Sequence, residues 1–334
     1  MSTHEPPELP NASTGWSRHL ARWRRSLNKP WRHKLASVAH GLQRLAAPLT
    51  VRWHWQRARH APPRPHGLPG ELVLSLTSFP GRFPVLHLTL MSLLGQTVKP
   101  DHVVLWVDEA YADLVPPKVR SLQDHGLSIR TWPQDIKSYM KIIPSLACWP
   151  EATFVTADDD ICYWPTWLEE LLAASAHRPG HVVCHRAHRV LRDDAGRLRA
   201  YRDWCWSVEE PACGDDLFFT GVGGVLYPAG SLQRCAAEGD RYRALAPHGD
   251  DIWLNWMTRL QGYGVFTTGR GQRLVSWLGS QRSGLYRHNV RGHGNDEALQ
   301  HMTQVYGDLL GRPPTASTPA QAASCARMAS MTAL

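Results

Sequence analysis

Apolar residues run almost without interruption through four short stretches of the chain's first half: ELVLSLT (71–77), HVVLWVD (102–108), LSIRTW (127–132) and ATFVTADDD (152–160), the last ending in acids. Runs of this length, too short for helices and not strictly alternating, are the pattern of strands covered on both faces. Between them lie stretches of helical character. Val85–Leu94 follows a break at Pro80-Gly81, Asp113–Asp124 carries Pro116 and Pro117 in its first turn, and Ser138–Cys148 is interrupted only by Pro144. Strands alternating with helices predict βαβ units and an α/β domain, with a mostly parallel sheet flanked by helices. In such a sheet, ligands bind beyond the carboxyl ends of the strands.

The pattern also sets boundaries. Residues 1–15 predict a disordered leader. Trp16–His60 is basic and aromatic, with Trp16, Trp23, Trp31, Trp53 and Trp55 among arginines and lysines. It predicts an amphipathic helix interrupted at Pro30 and Pro48. Ala61–Gly70 (APPRPHGLPG) is a Pro/Gly-rich linker, and Gly311 opens a low-complexity tail. The expected division is therefore 1–66 as a basic arm, 67–310 as the folded domain and 311–334 as a disordered tail.

Charge follows this division. Of a net charge of +8, residues 1–66 carry +10, because twelve Lys+Arg face only Glu5 and Glu8, which leaves −2 for the rest. A near-neutral domain with a basic arm is not a uniformly basic nucleic-acid binder. The arm predicts a segment lying on an anionic membrane surface, with a packed N-terminal subdomain as the alternative and single-stranded nucleic acid as a lesser one. Seven scattered cysteines without a CxxC pair argue against structural zinc and a disulfide framework, and favour a reducing compartment. With no signal-like or membrane-spanning apolar run, the expected location is cytoplasmic, or peripheral on the cytoplasmic face of the membrane.

Asp158, Asp159 and Asp160 follow the fourth strand directly. Adjacent carboxylates repel one another and need a compensating cation or strong donors. Oxygen ligands suit Mg²⁺ or a similarly hard divalent ion, which keeps waters or substrate phosphates in its shell. Alternation along an extended segment points Asp158 and Asp160 the same way, so together they can face one metal. The bland reading is a solvated acidic turn.

In chain order the blocks are a first strand ending in Thr77 and Ser78-Phe79-Pro80-Gly81-Arg82, a second strand, Lys141 in YMKIIPSL, TADDD, GVGGVLYP and HGDDIWLNW. This order resembles a family 2-like glycosyltransferase of the GT-A fold, which is Rossmann-like, over about residues 72–300. The resemblance implies sugar transfer from a nucleoside diphosphate donor with a divalent metal, Mn²⁺ or Mg²⁺. It places Asp158 toward the ribose and Asp160 on the metal, with Asp159 sharing either role. Ser78 and Arg82 become candidates for base, ribose or phosphate contact, and Asp108 for the base edge. Lys141 would neutralise the diphosphate, and the loop holding Gly223 and Gly224 would face donor sugar and acceptor. The second acid of the pair, Asp251, would be the general base, with Asp250 the alternative. A UDP-sugar donor and a saccharide or lipid-linked acceptor are favoured, as in cell-surface polysaccharide or glycolipid synthesis, with inversion because a base is visible.

Several of these residues also have plain structural readings. Asp108 can cap the next segment, Lys141 can be a snorkelling lysine, the glycines a simple bulge, and acids at a helix start answer its dipole. His288 and His293 could complete a metal shell through neutral imidazole, and Arg287 or Arg291 could clamp a diphosphate. Asp158–Ile161 half matches the Asp-x-Asp-x-(Val/Thr) of phosphatases, whose nucleophile follows the first strand, whereas here three strands precede it. A nucleotidyltransferase would need a longer Gly-rich loop than SFPGR. A non-enzymatic membrane- or nucleic-acid-binding protein leaves the acidic blocks unexplained.

Overall fold

The computed structural model describes residues 29–280 and 294–311. The arm before Lys29, His288 and His293 with Arg287 and Arg291, and the tail beyond Gly311 lie outside the described residues. By contacts the chain divides into two compact units, Met1–Ala46 and Ala47–Leu334. The larger unit thus begins inside the arm rather than after the Pro/Gly linker.

All four predicted strands form: β1 (Leu72–Thr77), β2 (His102–Asp108), β3 (Leu127–Trp132) and β4 (Thr153–Thr156). They pair in parallel in the order β3-β2-β1-β4, with Thr77 opposite Trp106 and Ser75 opposite Thr156. The chain builds outward from β1 to β3, then returns to β1's other side with β4. That reversal is where an open α/β sheet leaves a crevice.

The second half was less legible because its strands are two to four residues long. They are β5 (Ile161–Cys162), β6 (His181–Cys184), β7 (Ala187–Arg189), β8 (Ala212–Cys213), β9 (Leu217–Phe219), β10 (Val225–Tyr227), β11 (Gly264–Thr267) and β12 (Val275–Ser276). The main sheet continues β4-β10-β6-β11-β8, with β10 antiparallel to both β4 and β6. A strand antiparallel to two neighbours leaves those neighbours parallel to each other. The entrance to β10 therefore lies at the same sheet edge as the exits of β1, β4 and β6.

Helix Phe83–Leu94 covers β1 and β2 with nine buried residues, and Asp250–Leu260 packs on the opposite side through Trp253, Trp256 and Met257. The predicted Asp113–Asp124 helix breaks into turns, Glu109–Leu114 and Ser121–His125 around a short helix Pro117–Arg120, because two prolines withhold backbone donors. Helix Lys29–Ala58 runs through Pro30 and Pro48 without the expected interruptions. Pro30 sits in the first turn, where its missing N–H is unneeded. Pro48 removes one bond inside the helix, but the following turns are held by burial of Ala47, Val51 and Trp55 against the domain. Among the described residues no helix is long and apolar enough to cross a membrane.

Candidate active site

One cavity of about 620 Å³ opens where these strand ends meet. Ser78 and Arg82 follow β1, Asp108 ends β2, Asp158, Asp159 and Asp160 follow β4, Arg186 follows β6, and Gly221 precedes β10; all line it. Lys141, Asp250 and Asp251 complete its wall.

The acidic turn is held from behind. The Thr89 hydroxyl donates to Asp159 O at 2.9 Å, the Trp277 backbone N–H donates to Asp160 O at 3.0 Å, and the Trp277 indole donates to Thr89 Oγ1 at 2.7 Å. Strand pairing stops at Thr156 and the backbone turns at Asp159–Asp160, so the alternation expected of Asp158 and Asp160 ends with it. Instead Asp158 pairs with Lys141, Asp160 pairs with Arg82, and Asp159 accepts from the Ser78 hydroxyl at 2.6 Å with Arg82 at 3.8 Å. Burial, only partly offset by Ser78 and Arg82, pushes the Asp159 carboxyl up to about 6.

Lys141 is buried, not snorkelling. Burial alone would lower its pKa, but Asp158 and Asp250 outweigh that and hold the ammonium charged. Its segment is pinned through Ser145, whose hydroxyl meets Ser75 Oγ at 2.9 Å and accepts from the Trp106 indole at 2.8 Å. The Arg82 Nε and the Ser138 hydroxyl are buried without a hydrogen-bond partner among the described residues, Ser138 lying beside Asp250 without the geometry to bond it. Both residues line the cavity. Buried donors without acceptors are costly, and an oxyanion in the cavity would supply what they lack.

Asp250 and Asp251 begin the helix Asp250–Leu260. The helix dipole favours their charged forms, yet burial acts first and raises both carboxyls. For Asp251 the Asp250 charge adds to burial and carries the value to about 8, against a hydrogen bond from the Gly221 N–H at 2.8 Å. Asp251 therefore keeps its proton into the neutral range. Asn255 holds the contact in place, its side chain donating to Phe219 O at 2.9 Å and Asp251 O at 2.8 Å.

Two predicted site residues face elsewhere. Gly223 and Gly224 do not line the cavity; Thr220, Gly221 and Val222 do. Gly224 has φ +97°, and a Cβ there would lie 2.3 Å from Trp167 Cζ2, while the Gly223 carbonyl accepts from the Trp167 indole at 2.6 Å. These glycines let the buried Trp167 approach the backbone. Asp108 does cap the next turn, accepting from the Ala110 N–H at 2.8 Å, while still facing the cavity.

For a divalent cation, the three adjacent carboxylates supply hard oxygen donors. Among the described residues no three ligating side chains converge into a cage. The site fits an ion that takes one or two carboxylates and completes its shell with ligand oxygens and water. The sequence reading missed Arg186, His188, Tyr201 and Trp206, which line the cavity's other end; no motif marks them, and only the β6–β7 connection, β7 itself and the loop that follows it bring them there.

No protein-family profile and no curated protein sequence matches the chain. Among solved structures the fold is similar to the mannosyltransferase PcManGT from Pyrobaculum calidifontis in complex with GDP-Man and Mn²⁺, at 17% identity over 90% of this chain and 86% of that one, with a TM-score of 0.49. It is also similar to residues 1–349 of S. aureus TarS, at 13% identity over 71% of this chain and 73% of that one, with a TM-score of 0.43.

Proposed function

We propose that the cavity is the active site of a nucleotide-sugar glycosyltransferase. One observation carries the reading: the separate sequence blocks around Ser78–Arg82, Lys141, Asp158–Asp160 and Asp250–Asp251 all open onto one cavity at the carboxyl ends of the sheet. A phosphatase-like site would centre on one nucleophilic carboxylate, whereas here Asp158 and Asp160 are each neutralised by a cation.

Phe79, Tyr111 and Asp108 line the side suited to a nucleoside base. Arg82, Lys141 and the Ser138 hydroxyl supply charge and donors to the diphosphate. A bound Mn²⁺ or Mg²⁺, held by Asp160 with Asp158 or Asp159, would add charge stabilisation for the leaving group. Asp251, in its carboxylate form, takes the proton from an acceptor hydroxyl as that oxygen bonds to the anomeric carbon. The bond from that carbon to the diphosphate breaks on the opposite face, the diphosphate leaves with the electron pair, and the configuration inverts. Asp251 is favoured over Asp250 because the Gly221 N–H fixes its carboxylate at the cavity.

UDP is the favoured nucleotide, and a saccharide or lipid-linked acceptor of a cell-surface polysaccharide or glycolipid is the favoured second substrate. The enzyme works in the cytoplasm, held reversibly on anionic membrane. That attachment is supported by Leu49 and Trp53, which are 69% and 59% exposed beside the exposed Arg52 and Arg57.

A thermal-shift panel of UDP, GDP, CDP and dTDP with Mn²⁺, followed by turnover of the matching nucleotide-sugar, tests the reading. Stabilisation by one nucleotide and release of its diphosphate are expected. Hydrolysis of simple phosphate esters without nucleotide binding would overturn it in favour of a phosphoesterase.

A further inference from the structure

The far end of the cavity holds a cation that no carboxylate answers among the described residues. Three other cations that line the cavity face acids: Arg82 with Asp160, Lys141 with Asp158 and Lys137 with Asp135. Arg186 makes no ion pair among the described residues. Its Nε donates to Ser207 Oγ at 2.9 Å, and its Nη1 lies 3.4 Å from Thr220 Oγ1. Nη2 makes no hydrogen bond among the described residues. Its stem lies against the loop after β11, where a Cβ on Gly271 would come within 3.1 Å of Arg186 Cγ.

A second donor stands beside it. His188 is buried and lines the cavity. The Ser207 N–H donates to its Nδ1 at 3.1 Å, so the neutral ring must carry its proton on Nε2. Burial, reinforced by Arg186, pushes the imidazole down to about 3, which keeps it neutral. The Ala187 carbonyl lies near the ring, and Nε2 makes no side-chain hydrogen bond among the described residues. Ser207, at φ +54°, is held in the left-handed region, where it makes both of these bonds. Trp206, 37% exposed, lies with its ring 4.8 Å from that of His188 and completes an aromatic wall. The site adjoins the base: Thr220 contacts Arg186, and the next residue, Gly221, donates to Asp251.

We propose that Arg186, His188 and Trp206 form an acceptor subsite for a saccharide bearing an anionic group, a carboxylate or a phosphate monoester. The guanidinium and the imidazole Nε2–H bind the anion, and the indole covers an apolar face of the sugar ring. This inference rests on the glycosyltransferase reading above. It adds that the hydroxyl delivered to Asp251 belongs to an acidic sugar.

The test is calorimetric titration of the full-length protein, saturated with the nucleotide that stabilises it, with methyl glucuronide, glucose 6-phosphate, methyl glucoside and inorganic phosphate. At least one anionic sugar is expected to bind roughly 10- to 100-fold tighter than the neutral glucoside, the worth of charged hydrogen bonds. Which of the two binds identifies the group as carboxylate or phosphate. Inorganic phosphate should bind more weakly than the sugar phosphate. Arg186→Gln should erase the preference while leaving nucleotide affinity unchanged, and Arg186→Lys should keep part of it. Equal binding of neutral and anionic sugars, binding of inorganic phosphate as tight as that of glucose 6-phosphate, or an Arg186→Gln defect in nucleotide rather than saccharide binding would overturn the subsite. If no nucleotide binds but an acidic sugar still binds through Arg186, the transferase reading falls and the saccharide site stands.

Discussion

Asp250 and Asp251 sit on the same helix terminus, where the dipole alone would lower both carboxyls, yet burial and mutual repulsion raise them. This has two consequences of opposite sign. A base works deprotonated, so kcat/KM should climb with pH as Asp251 ionises, levelling near its value of about 8. Stability should run the other way. An ordinary Asp in the unfolded chain titrates near about 3.9, so between there and about 8 the native state binds more protons than the unfolded state. Unfolding free energy therefore falls as pH rises through that window. Asp251→Asn should flatten this slope, raise Tm at pH 8 and leave nucleotide affinity intact, while transfer drops by about 10²–10⁴-fold. Melting curves from pH 5 to pH 8 on both proteins check the sign; a variant less stable than wild type at pH 8 would refute it. Lys141 behaves differently because it is the buried partner of Asp158. Lys141→Met leaves that carboxylate uncompensated and should cost up to about 3–5 kcal/mol, the range for breaking a buried pair. It should also cost nucleotide binding, so urea unfolding and nucleotide titration of this variant should fall together.

The loop entering β10 and the helix Lys29–Ala58 show what was and was not legible at the scale of elements. The strands β1 to β4 could be read because each is a continuous apolar run between turn residues. The Gly223-Gly224 pair could be read as needing close approach, but not what approaches. That is Trp167, which arrives from a helix more than fifty residues earlier in the chain. Gly224→Ala is therefore a packing lesion: it places a methyl against the indole at a φ that disfavours L side chains. It should lower Tm strongly while the folded fraction keeps its nucleotide affinity. Loss of nucleotide affinity without loss of stability would return Gly224 to the binding site. In the helix, Ala47, Val51 and Trp55 recur every four residues and are buried, whereas Leu49 and Trp53 point outward. Basic-aromatic text could not reveal this division of labour, because both faces carry tryptophan. Trp55→Ala should destabilise the fold by about 3–5 kcal/mol, as for large core deletions. Trp53→Ala should leave Tm unchanged and weaken sedimentation with anionic liposomes. If Trp53→Ala binds liposomes as tightly as wild type does, the membrane face is wrong.

At the scale of the molecule, the first half of the sheet and its acidic edge were written in local patterns, and the second half was not. β8, β9 and β10 are two or three residues each, too short for any periodicity to emerge, and they owe their pairing to tertiary context. The cavity end built by Arg186, His188 and Trp206 was hidden for the same reason. The compact unit that begins at Ala47 takes in the linker by a related effect. Ala61–Gly70 has linker composition, yet it is tied down against the turn that precedes β2. The Lys99 N–H donates to Arg64 O at 2.9 Å, and His66 Nε2 meets Asp101 at 2.9 Å. Upstream of it, Ala47 and Val51 cluster with Leu88, Val275 and Trp277, and Trp277 is the residue that braces the acidic turn through Thr89. Cutting the chain at the linker would therefore expose the support of the acidic turn, not merely remove an arm. A chain beginning at Ala47 should melt close to the full-length protein and bind nucleotide with equal affinity. A chain beginning at Gly67 should melt several degrees lower and bind nucleotide more weakly, because the Trp277–Thr89–Asp159 brace loses its cover. Calorimetry and nucleotide titration of the two shortened chains decide the matter. If the Gly67 chain matches full length in both, the Ala47–Ala58 stretch is an attachment and not part of the domain.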